Sequence, residues 1–141
     1  TTLTLLVADQ DLSFGSPAPT ITGPGGAALT SADTATQLTL TFTILDTINA
    51  AQATPTAVDV PYAILLNGVA VTPVSASLSS PVQVDPTGVT PPITQVVTVT
   101  LPATGSAGSF VYTITLSPAD GDDSVTTNNA ATVIVTIPAP G

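Results

Sequence analysis

The stretch QLTLTFTILD, Gln37 to Asp46, decides the fold. Leu38, Leu40, Phe42 and Ile44 alternate without a break with Thr39, Thr41 and Thr43. Successive side chains of an extended chain point to opposite faces, so this period of two puts the large apolar groups on one face and the threonines on the other. A face of that kind has to be covered by a second layer. Three later stretches repeat the alternation: ITQVVTVTLP (Ile93 to Pro102), SFVYTITLSP (Ser109 to Pro118) and ATVIVTIPAP (Ala131 to Pro140). Elsewhere Pro and Gly cut the chain into shorter pieces. DLSFGSPAPTITGPGG (Asp11 to Gly26) holds one or two edge segments, and Pro73 to Pro92 holds a short strand or two. Within VDVPYAILLNGVAV (Val58 to Val71), Asn67-Gly68 is a two-residue hairpin signal, and Pro61 belongs at an edge or a bulge. Ile48 to Ala57 reads as a loop.

Composition agrees. The chain has 141 residues, one domain in size, with 27 Thr, 14 Pro and 10 Gly. Branched residues in short runs broken by Pro and Gly suit strands, while Glu, Lys, Arg and Met, the usual residues of a helix surface, are all absent. The expectation is an all-β, immunoglobulin-like antiparallel sandwich of about seven to nine strands. A single domain spans residues 9–141, and residues 1–8 form an N-terminal extension. Thr1 in place of Met reads as a processed terminus or an excised fragment.

All nine charged side chains are Asp, for a formal net charge of -9. Nucleic-acid binding is excluded as a function class, because phosphate neutralisation needs Lys or Arg. Attraction to anionic lipid fails for the same reason, and no apolar run reaches the roughly 18 residues of a membrane span. Each Asp must be solvated, hydrogen-bonded or bound to a cation. Lacking Lys and Arg also removes every trypsin-type cleavage site, which fits life outside the cell; drift in a low-complexity, Thr-rich surface protein accounts for the same composition. There is no Cys, hence neither a disulfide framework nor a thiolate metal site. No N-x-S/T sequon occurs at Asn49, Asn67, Asn128 or Asn129, whereas O-linked sugars on the many threonines remain open.

Several turns and strands resemble the CARDB family, the bacterial cell-adhesion-related Ig-like domain. The matching places are Asp11-Leu12, Asp46 to Asn49, Asn67 to Val71, and Asp120 to Asn129. The chain departs from that family's pattern at Asp46-Thr47, where Asn-x-Gly is usual, and in having no Glu before Asn128. The resemblance implies an extracellular domain used in surface adhesion or scaffolding rather than catalysis.

Site chemistry points the same way. Without His, Cys, Lys, Arg or Glu, a Ser or Thr nucleophile has only Asp as a base, so no catalytic and no cofactor-binding residue is assigned. Asp120, Asp122 and Asp123 crowd one turn. The plain reading is a solvated turn, and the functional one is a Ca²⁺ site that relieves their mutual repulsion. Asp9 and Asp11 form a lesser pair. Asn128 and Asn129 are expected to shape the turn into the last strand through bonds to backbone, and the five aromatic rings to pack in the core and at its edges.

The opening TTLTLLVAD, Thr1 to Asp9, alternates as well, with Leu3, Leu5 and Val7 on one face. Either this strand folds back on its own sandwich or it is donated to a neighbour. The second reading makes the protein a subunit of an extracellular filament, pilus-like or thread-like, a homopolymer with Leu3, Leu5 and Val7 at the subunit interface. The alternatives are one repeat of a cell-surface adhesin binding sugar or protein, and a surface-layer protein.

Overall fold

The computed structural model describes residues 10–48, 58–84, 93–117 and 127–140. Leu3, Leu5 and Val7, most of the loop expected at Ile48 to Ala57, and Asp120, Asp122 and Asp123 lie outside the described residues. Among the described residues there is no α-helix. Eleven strands follow in order: β1 (Gln10–Phe14), β2 (Thr20–Thr22), β3 (Leu38–Ile48), β4 (Val58–Val60), β5 (Tyr62–Leu66), β6 (Val69–Ala70), β7 (Ser75–Ala76), β8 (Val82–Val84), β9 (Ile93–Leu101), β10 (Gly108–Leu116) and β11 (Ala130–Ile137). Eleven exceeds the seven to nine expected. The excess comes from pieces two or three residues long, where Pro and Gly interrupt the ladder.

Every pairing is antiparallel. One sheet runs β1-β3-β9-β7, with β2 also on β3. β1 pairs with Ile44 to Ile48 and β2 with Thr39 to Thr41, so the two are halves of one edge split at Gly15 to Pro19. The second sheet runs β11-β10-β5-β6, and β4 with β8 makes a two-stranded ribbon. All three contribute to a single core. Leu38, Leu40, Phe42 and Ile44 of β3 meet Val97, Val99 and Leu101 of β9, Tyr112 and Ile114 of β10, and Val135 and Ile137 of β11. Val58, Val60, Val82 and Val84 of the ribbon join them, while Asp59 and Gln83 face out. The arrangement is sandwich-like.

The alternation in β3 places its residues as expected, with one exception. Thr43 belongs to the outward row yet is buried. Gly15 lies against it: the Gly15 amide donates to the Thr43 carbonyl at 2.8 Å. A Cβ on Gly15 would stand 3.1 Å from Thr43 Cγ2 and 3.2 Å from Leu45 Cβ. The Asn67-Gly68 hairpin joins β5 to β6, with φ of 49° and 84° at the two turn residues, the left-handed pair of a type I′ turn. Pro61 falls where the chain leaves the ribbon for β5, needing no ladder donor there. Three aromatics form an edge-to-face row through the core, Phe14 to Phe42 at 6.0 Å and Phe42 to Tyr62 at 5.3 Å between ring centres.

Candidate functional site

Two places outside the plain core draw polar or apolar groups together. The first is the end of the sandwich where β1 begins, β3 ends and β11 begins. Asp11 on β1 faces Asn128, which stands just before β11. The Asn128 Nδ2 donates to both Asp11 carboxylate oxygens, at 3.0 and 3.1 Å. The pair spans 117 positions of sequence and ties the outer edge of one sheet to the outer edge of the other. This corrects the expectation for Asn128, whose amide reaches a side chain and not the turn's backbone. Asn129 is buried, and its backbone carbonyl accepts from the Leu116 amide. Asp46, on the inner face opposite Leu12 and Ile93, is fully enclosed.

Asp33 is a further buried carboxylate, in the short 3-10 turn Ser31–Thr34. The Thr36 hydroxyl donates to its Oδ1 at 2.6 Å and the Thr30 amide to its Oδ2 at 2.6 Å. These bonds, Thr36 first, hold the carboxyl below its ordinary value of 3.8 against the opposing effect of burial. Asp33 therefore works as a fastener for the entry into β3. Among the described residues, no three carboxylates converge closely enough to hold a metal ion.

The second place is a groove of about 460 Å³ on one lateral side, between the β5–β6 hairpin and the strip from Pro73 to Ser80. Ile64, Ala70, Val71 and Ala76 make its apolar floor and walls. Tyr62 fixes its lower end. Its hydroxyl donates to the Leu78 carbonyl at 2.9 Å, and its amide donates to Ser80 Oγ at 3.0 Å. Burial raises the Tyr62 hydroxyl above its ordinary 10.0. Three of the exposed large apolar side chains, Val69, Val74 and Leu78, stand along this same stretch. The groove has no signature in any one stretch of sequence: the nearest signal is the short alternation of Val74, Ala76 and Leu78 with Ser75, Ser77 and Ser79, which marks a strand and not a cavity.

The chain matches no protein-family model, no curated protein and no solved structure.

Proposed function

We propose that this chain is a structural subunit of an extracellular surface filament, pilus-like or thread-like, held together by donor-strand exchange between Ig-like subunits. One observation carries the reading. From Gln10 onward β1 already takes the outer place beside β3, so the alternating Leu3, Leu5 and Val7 precede a sheet whose edge is filled without them. The order β1-β3-β9-β7 against β11-β10-β5 corresponds to the ABED and GFC sheets of an immunoglobulin constant-type sandwich, which supports the Ig-like assignment. A strand given to the next subunit makes a head-to-tail contact that does not close, and such a contact propagates into a fibre. Burying Leu3, Leu5 and Val7 supplies roughly 5 kcal/mol or more before the entropy of ordering is charged. An all-Asp charge set with no trypsin-type site suits an exposed, extracellular polymer, and outward threonines offer places for O-linked sugars.

The test is the full chain carrying Leu3→Asp, Leu5→Asp and Val7→Asp together. The expected outcome is loss of filaments in electron micrographs and a monomer by light scattering, with the melting temperature of the isolated subunit unchanged. Filaments that persist would overturn the reading. So would a lowered melting temperature with no change in assembly, because the strand would then belong to its own sandwich.

A further inference from the structure

The sandwich has two lateral sides, and they differ. On one, β1, β2 and the Ser31–Thr34 turn pack against β11, the Asn128–Asp11 bond ties the two sheets, and a shallow depression of about 720 Å³ lies open over Phe14, Gly15, Leu45 and Ala130. On the other, among the described residues, β6 ends one sheet and β7 ends the other, and the 460 Å³ groove lies between them. We infer that this groove is the acceptor site for the N-terminal strand of a second copy, with Leu5 seated at its centre and Leu3 and Val7 to either side. The inference rests on the donor-strand reading and names the surface that receives the strand.

Size and chemistry both fit. An apolar cavity of about 150 Å³ holds one benzene-sized group, so this groove has room for roughly three aliphatic side chains. Its lining is mostly aliphatic, with Tyr62 and the hydroxyls of Thr72, Ser75, Ser79 and Ser80 beside it and no carboxylate. In a chain whose every charged side chain is Asp, that absence is selective: residues 60–84 contain none, with Asp59 and Asp85 just outside. Short strands that end a sheet, as β6 and β7 do among the described residues, are where a further strand can be added.

The reach of the chain selects a second copy over the same one. β1 and β7 occupy opposite edges of a sheet ordered β1-β3-β9-β7. Three inter-strand steps separate them, about 14 Å. Along the strands Gln10 is level with Ile48 of β3, whereas Ser75 is level through Thr100 with Thr39, an offset of about 30 Å. From Gln10 back to Leu5 the chain spans at most about 18 Å. Leu5 therefore falls short of β7 on its own groove, while a neighbour's Leu5 meets no such limit.

The chain contains no Cys, so single cysteines report proximity without background. Full-length Leu5→Cys is mixed with full-length Ala70→Cys and oxidised, with Thr132→Cys on the exposed face of β11 as the distant control. The expected result is a mixed disulfide with Ala70→Cys at least tenfold more abundant than with Thr132→Cys. Ala70→Trp and Ser75→Trp, at exposed positions lining the groove, should each raise the critical concentration for assembly tenfold or more at unchanged melting temperature. Equal cross-linking to Thr132→Cys, or normal assembly by both Trp variants, would overturn the acceptor site. If filaments still required Leu3, Leu5 and Val7, the donor-strand reading would stand without it. A disulfide within one chain in the Leu5→Cys/Ala70→Cys double variant at high dilution would overturn the second copy as occupant. Filaments indifferent to Asp at positions 3, 5 and 7 would remove both proposals.

Discussion

At the scale of single residues, two side chains set local stability. Asp33 accepts from Thr36 and Thr30, and its carboxyl titrates below the ordinary 3.8. The unfolded chain therefore takes up a proton before the native one does. The stabilisation is complete above the unfolded value and is lost as pH falls through the lowered native value. Asp33→Asn should melt below the parent at pH 7, and the gap should narrow under acid conditions beneath 3.8. Melting curves by circular dichroism from pH 7 to pH 2 check this, and a gap independent of pH would refute it. Gly15 acts by what it lacks. Gly15→Ala places a methyl 3.1 Å from Thr43 Cγ2 and should cost about 1 to 2 kcal/mol, the range for forcing an extra carbon into a packed site. Adding Thr43→Ser removes the nearest clash but leaves Leu45 Cβ at 3.2 Å, so the double variant should recover part of the loss in a double-mutant cycle.

At the scale of elements, β3 is the backbone of the fold, paired along its inner edge with β9 and along its outer edge with β1 and β2. Phe42→Ala deletes the centre of the Phe14–Phe42–Tyr62 row and should cost about 3 to 5 kcal/mol, read from the shift in a urea midpoint. Asn128→Ala should cost about 1.5 kcal/mol, as for a hydrogen bond to a charged group, and should speed amide exchange in β1 before it does so in β9. Uniform loss of protection across the sheet would show that the Asn128–Asp11 bond is not what holds β1. These elements also divide what the sequence discloses from what it hides. Period-two runs announced β3, β9, β10 and β11, and Asn67-Gly68 announced the β5–β6 turn, because each signal is local. The β4–β8 ribbon is two three-residue pieces, VDV and VQV, that become strands only by pairing with each other. Asn128 has its partner 117 positions away, and Thr43 lies against a glycine in the break between β1 and β2. The groove is made of edges from two different sheets, so no single stretch of sequence contains it.

At the scale of the whole molecule, charge bears on the proposed filament. With nine Asp and no Lys, Arg or His, every charged side chain on one subunit repels every one on the next. Assembly must then draw on apolar burial and backbone pairing, while electrostatics opposes it. Salt screens that opposition. The Debye length falls from about 30 Å at 0.01 M to about 10 Å at 0.1 M. Lowering the pH toward the carboxylate range acts in the same direction by removing charge, since no basic side chain is present to make the chain strongly positive in acid. The critical concentration for filament formation should therefore fall as NaCl rises from 10 to 150 mM at pH 7, and fall again between pH 7 and pH 4 at fixed salt. Sedimentation of polymer against total protein measures both. A critical concentration that rises with salt would mean that opposite charges meet across the interface, which this set of side chains cannot supply, and some other charged partner would have to be part of the assembly.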